Sequence, residues 1–136
     1  MSIFVDTGAW FASVIPSDPN HSKVLAFLQH NPLPLVTTDY VVDETLTLLR
    51  ARGEAMKAVA FGRQLLDLQL ANVVHTTPQI FSKAWELFRD QPTRGWSFTD
   101  CTSKVVMDEL HIKRALFLDQ HFREFAAIDV LNESGK

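Results

Sequence analysis

Four carboxylates stand where an α/β chain can use them for chemistry. Ser2-Ile3-Phe4-Val5 is a short apolar run that stops at Asp6, and Ala115-Leu116-Phe117-Leu118 is another that stops at Asp119. Glu44 lies in a mostly apolar helical stretch, residues 40–46, beside a second acid, Asp43; Asp100 begins a helix after Trp96-Ser97-Phe98-Thr99. Open parallel sheets take ligands beyond the carboxyl ends of their strands, which is where Asp6 and Asp119 fall. Carboxylates gathered at one edge repel one another unless protons or cations relieve them. Hard divalent cations are the usual relief, and Mg²⁺ favours one or two carboxylates, several waters and substrate phosphate oxygens. Two such ions about 3.5–4 Å apart activate a water and stabilise a leaving oxygen in phosphodiester cleavage. Taken singly, each acid also has a plain structural reading: a polar stop after a strand, a first-turn charge on a helix dipole for Asp100, a solvated face for Glu44. The joint pattern is what points to metal chemistry.

Other chemistries lack their residues. A phosphatase built on a strand-ending Asp needs a second Asp two positions later, and Gly8 stands there. No acidic pair follows the first strand and no Lys the fifth, as a phosphoacceptor receiver requires. Neither G-x-x-x-x-G-K-[ST] nor G-x-G-x-x-G occurs among the five glycines, and G-x-S-x-G is absent. His21, His30, His75, His111 and His121 form no H-x-x-x-H pair, so a zinc site is not indicated; His121 reads as a residue fixing the loop after Asp119. Cys101, beside Asp100, is expected to have a raised thiol pKa and to be a poor nucleophile.

The elements that must position these acids alternate. Strands are predicted at residues 2–5, 33–37, 72–75 and 115–118, with a fifth at 128–131. A helix runs from Trp10 to Ile15, and a second, opened by Ser17 or Asp18 with Pro19, buries His21, Val24, Leu25 and Leu28. Thr38 or Asp39 caps a helix to about Arg52, stopped by Gly53, and residues 54–70 form a long helical stretch. Thr77-Pro78 opens a helix whose stripe Phe81, Ala84, Trp85, Phe88 faces inward. Thr99 caps a helix from Asp100 to about His111, with Val105, Val106 and Leu110 inward, and a short turn or helix covers 120–125. Strands alternating with helices imply right-handed crossovers, hence a three-layer α/β/α sandwich around a mainly parallel sheet of four to five strands.

The chain has 136 residues, room for one domain spanning 1–136. Apolar residues make up 46% and charged ones 21%, as in an ordinary globular domain. The lone cysteine excludes an internal disulfide. No apolar run reaches the roughly 18–20 residues of a membrane span, and the first residues carry no basic region ahead of an apolar stretch, so a cytoplasmic location is expected. A formal charge of −3 and a pI near 5.9 exclude a simple basic adhesive for nucleic acid. An acidic centre must then borrow positive charge to hold phosphates; Arg50, Arg52 and Lys104 are the candidates to hold a phosphodiester backbone. Lys104, one turn after Asp100, is placed to reach a phosphate or to pair with that carboxylate.

The ordered set of acids resembles that of the PIN-domain nucleases. Phe4-Val5-Asp6-Thr7-Gly8-Ala9-Trp10 is similar to their first motif, and Val42-Asp43-Glu44-Thr45-Leu46 to the helix-borne Glu. Trp96-Ser97-Phe98-Thr99-Asp100-Cys101 is similar to the Thr-Asp pair opening a helix, and Phe117-Leu118-Asp119-Gln120-His121-Phe122 to the Asp followed three residues on by an aromatic. In size the chain looks most like the stand-alone VapC-type toxins of toxin–antitoxin pairs. The resemblance implies a Mg²⁺- or Mn²⁺-dependent endoribonuclease, a homodimer silenced by a small antitoxin. It implies that Asp6, Glu44, Asp100 and Asp119 hold the metal, with Thr7 and Thr99 orienting carboxylates or water. Two other readings share these residues: an RNA- or metal-binding module without catalysis, and a PIN nuclease of RNA processing outside any toxin system.

Overall fold

Ile3, Phe4 and Val5 are all buried, and a strand apolar on both faces belongs at the centre of a sheet covered by helices. They form β1 (Ile3–Val5), which pairs in parallel with β2 (Leu35–Thr38) on one side and β4 (Arg114–Leu116) on the other. β3 (Asn72–Val74) adds outside β2, and β5 (Ile128–Asp129) outside β4. The order is β3-β2-β1-β4-β5, and every pairing is parallel. The computed structural model describes residues 1–133.

The connecting helices are α1 (Thr7–Val14), α2 (His21–His30), α3 (Asp39–Ala51), α4 (Ala55–Gly62), α5 (Pro78–Asp90), α6 (Phe98–Glu109), α7 (His121–Glu124) and α8 (Val130–Glu133). This is the expected α/β sandwich with a parallel sheet, now wholly parallel and five-stranded. Several boundaries follow from local chemistry. Pro34 lacks an N–H for a ladder, so β2 begins at Leu35 rather than residue 33, and the Pro34 carbonyl instead accepts from Ile3 N at 3.0 Å. Thr38 caps α3 by accepting from Val41 N, and Gly53, at φ +79°, supplies the left-handed turn beyond it. Thr77 caps α5 with Pro78 in its first turn, as expected. The long stretch after Glu54 is α4 followed by a π-helical turn, Arg63–Asp67, closed by Leu68 N–H to the Arg63 carbonyl.

Other expectations are corrected. Pro19 falls in a turn, α2 starts only at His21, and of its predicted stripe only Val24 is fully buried. On α5 the buried residues are Ile80 and Ala84, while Phe81, Trp85 and Phe88 stay 47%, 49% and 41% exposed. Leu110 also lies outside, just past the end of α6. β4 ends at Leu116, and β5 has two residues because the chain turns into α8 at Val130.

Packing fixes the edge where the strands end. Trp10, fully buried on α1, donates its indole N–H to Thr37 Oγ1 at 3.3 Å, and that hydroxyl donates to the Val5 carbonyl at 2.9 Å. Asp39 accepts from the amide and hydroxyl of Thr76, joining the exits of β2 and β3. Phe122 of α7 is fully buried and stacks on Phe117 and Phe4, with ring centroids 5.3 and 6.0 Å apart. Burying a side chain of that size is worth about 1.5–3 kcal/mol. It anchors the segment that bears Asp119.

Candidate active site

Because every strand runs the same way, all their carboxyl ends open on one edge. Asp6 follows β1 directly: its N–H donates to the Leu116 carbonyl at 3.1 Å, and its own carbonyl accepts from Trp10 N to start α1. It occupies the N-cap position of α1, yet its side chain caps nothing. The carboxyl group is buried, only 5% exposed, and its pKa is pushed up from 3.8 to about 8. Burial is the main cause. A hydrogen bond from the Thr7 backbone opposes it, and the negative charges of Asp100, Glu44 and Asp119 add to it. Folding thus brings these acids within electrostatic reach of Asp6 from across the sequence.

Glu44 sits on the outer part of α3, and the Thr7 hydroxyl donates to its Oε1 at 2.6 Å. The first residue of α1 therefore orients an acid from α3. Asp43 faces solvent. Asp100 is 6% exposed and is the third residue of α6. Here the expected cap is corrected: Ser97, not Thr99, is the N-cap. Ser97 Oγ accepts from Asp100 N and Asp100 Oδ2 accepts from Ser97 N, both at 3.0 Å, a reciprocal capping box. Two otherwise unpaired helix donors are satisfied this way, which is why the helix starts at Phe98. Thr99 lies within the first turn, and its carbonyl accepts from the Thr102 hydroxyl at 2.7 Å.

Asp119 lies three residues past β4 rather than directly after it, because Phe117 and Leu118 pass over the core as connecting chain. Its carboxylate is partly exposed and accepts from His121 N at 2.9 Å. The residue that sequence reasoning placed only as a loop support is His121. Its ring Nδ1 lies 2.9 Å from Asp100 Oδ2 and 3.3 Å from Asp119 Oδ1. Asp100, Asp119 and His121 each offer a ligand atom, and those atoms lie within 4.8 Å of one another. Burial lowers the His121 pKa, but the hydrogen bond to Asp100 and the charges of Asp119, Asp100 and Glu124 outweigh it, so the imidazole is held above its usual value. The signal available in the sequence was a histidine two residues after the strand-end acid.

None of the contacts that the basic candidates make among the described residues reaches the acids of this edge, and Arg50 and Arg52 stand at the far end of α3 from Asp39. Lys104 pairs with Asp108 at 3.1 Å and reaches over the Phe125 ring at 5.7 Å, so it is not the partner of Asp100. Arg50 lines a cavity of about 520 Å³ between α3 and α4, and the Arg52 guanidinium lies 5.5 Å from the Phe11 ring centre. Burial, with the Asp100 charge second, pushes the Cys101 thiol up to about 11, as its neighbourhood led us to expect.

A wholly parallel sandwich with anionic side chains converging at the carboxyl ends of its strands defines an acidic-centre α/β protein suited to divalent cations. Comparison with known proteins places it further. The PIN domain family model matches residues 3–128. VapC20 of Mycobacterium tuberculosis, described as a 23S rRNA-specific endonuclease, is 32% identical over 131 residues, covering 96% of this chain and 99% of that protein. A VapC ribonuclease of Archaeoglobus fulgidus is 30% identical over 118 residues, covering 83% of this chain and 74% of that one. The crystal structure of the M. tuberculosis VapC20, titled a Sarcin-Ricin loop cleaving toxin, superposes with a TM-score of 0.88 at 31% identity, covering 93% and 97% of the two chains. The chain belongs to the PIN-domain family, among its VapC-type ribonucleases.

Proposed function

We propose that this chain is an endoribonuclease acting with Mg²⁺ or Mn²⁺ as the toxin of a toxin–antitoxin pair, and that Asp6, Glu44, Asp100 and Asp119 hold the cation. The observation that carries this reading is the Asp6 carboxyl, buried and driven to about 8 beside three further acids. Such a donor set fits a hard divalent ion, since without a cation a proton must take its place. When bound, the ion supplies Lewis acidity, lowering the pKa of water and neutralising charge on a phosphodiester.

The chain's own residues prepare that site. The Thr7 hydroxyl fixes Glu44, and the Ser97 amide fixes Asp100. The N-terminus of α1, at Asp6, adds a positive partial charge that favours anions at this edge. Phe4, Phe117 and Phe122 are buried and stacked on one another, which holds in place the segment that bears Asp119. Arg50 and Arg52, and the lysine end of Lys104, are the groups we assign to the RNA backbone. By likeness to VapC20 of M. tuberculosis, the substrate is a structured ribosomal RNA, met in the cytoplasm. A cognate antitoxin holds the enzyme silent, and the protein acts as a homodimer.

The test compares purified wild type with Asp100→Asn on labelled ribosomal RNA, with chelator, Mg²⁺ or Mn²⁺. Cleavage by wild type that needs the ion and falls at least about a hundredfold in the variant is expected, the loss of roughly 3 kcal/mol of transition-state stabilisation. Equal cleavage by both proteins discards the assigned residues. RNA binding without cleavage by wild type under any ion favours the non-catalytic module.

A further inference from the structure

His121 is placed as no loop support needs to be. The loop after Asp119 is already held by main-chain amides, without the imidazole: His121 N donates to the Asp119 carboxylate Oδ1 at 2.9 Å, and Phe122 N to the Asp119 carbonyl at 3.3 Å. The buried Phe122 ring anchors it from below. The imidazole is left over, and it turns Nδ1 toward two carboxylates from different elements, Asp100 on α6 and Asp119 in the loop.

The chain also makes room for the ring. A side chain at position 95 would bring its Cβ within 3.1 Å of His121 Nε2 and 3.6 Å of Cε1. Among the described glycines only Gly53 has a left-handed φ, so the backbone at Gly95 does not itself call for glycine. Its missing side chain serves the imidazole: Nε2 rests against residue 95 and Nδ1 is aimed at the acids. Three ligand atoms from Asp100, Asp119 and His121, all within 4.8 Å of one another, match the span of one ion's coordination shell.

We propose that His121 Nδ1 is a direct ligand of the divalent ion, giving a mixed nitrogen and oxygen donor set that prefers Mn²⁺ to Mg²⁺. The proposal rests on the metal-site reading above and deepens it by naming the ion. Mg²⁺ is held best by oxygen and gives up water reluctantly, whereas transition metals accept imidazole nitrogen readily. A carboxylate-only site lacks that source of discrimination.

The experiment is electron spin echo spectroscopy of the full chain loaded with Mn²⁺, together with calorimetric titration of Mn²⁺ and Mg²⁺. Wild type is expected to show nitrogen modulation of the manganese signal from one imidazole. His121→Ala and His121→Gln are expected to lose it, and their Mn²⁺ affinity to fall by about tenfold or more, the scale seen when even outer support for a metal ligand is removed. Mg²⁺ affinity changes by a smaller factor. Gly95→Ala, which alters no acid and no imidazole, is expected to weaken the modulation by displacing the ring, so the result does not hang on a variant that unfolds. Manganese bound without nitrogen modulation in wild type overturns the His121 assignment and leaves the carboxylate site standing. Failure of wild type to bind manganese overturns both.

Discussion

Folding puts the Asp6 carboxyl where a negative charge is costly, and that has a measurable consequence. In the folded chain Asp6 keeps its proton up to about pH 8, whereas an ordinary aspartate releases it near 3.8. Between these values the folded state binds a proton that the unfolded state does not, so stability falls as pH rises through this window and levels above it. At His121 burial opposes the shift, but Asp100 and the neighbouring acids prevail and raise the pKa, so its contribution is likewise lost as pH rises. In chelator, the melting temperature is expected to drop between pH 5 and pH 8. Mn²⁺ restores most of the loss at pH 8 and little at pH 5, because it takes the place of the proton. Asp6→Asn flattens the slope; a flat profile in wild type contradicts the burial of the Asp6 carboxyl, to which the neighbouring acids add. Thermal melts across pH with and without metal decide it. Asp6 was legible from the sequence because an apolar run ends on it. His121 was not, since its partner Asp100 lies 21 residues away and only the fold joins them.

At the scale of elements, the start of α6 couples stability to the site. Ser97 Oγ holds the Asp100 amide while Asp100 Oδ2 holds the Ser97 amide. Ser97→Ala is expected to cost about 1 kcal/mol in denaturant unfolding. It also weakens Mn²⁺ binding by loosening Asp100. Thr99→Ala, outside the capping box, is expected to stay within about 0.5 kcal/mol of wild type. Equal losses from the two variants would return the cap to Thr99. The sequence pointed to Thr99 as the cap, and the reciprocal bond that gives the role to Ser97 is a matter of geometry. The same limit appears on α5. Ile80, Ala84 and Leu87 repeat at the same interval as Phe81, Trp85 and Phe88, one residue to the side. Periodicity finds a helix with an apolar flank, but which of two adjoining stripes meets the core depends on where α6 lies. The smaller stripe turned inward because α5 packs closely on α6.

The whole molecule is left with Phe81, Trp85 and Phe88 facing outward, and with Phe98 packed beneath Phe81 and Phe88. A contiguous aromatic face of this kind is a common mark of a docking surface. It is the surface we assign to the proposed homodimer. Light scattering is expected to give twice the chain mass for wild type and the single mass for Trp85→Glu. A dimer that survives the substitution removes α5 from the interface, and a monomeric wild type removes the dimer. Alternation of strands and helices announced a parallel α/β sandwich, but the neighbours of each strand were beyond reach of the sequence. Nothing local says that Ile3 faces both Leu35 and Arg114. That last pairing has a bearing on synthesis. A ribosome delivers the amino end first, so Asp6 and Glu44 emerge well ahead of Asp100 and Asp119, and the flank of β1 stays vacant until β4 arrives. On the assignment proposed above, the nascent chain lacks a complete metal site, and its cutting power waits until Asp119 has been made.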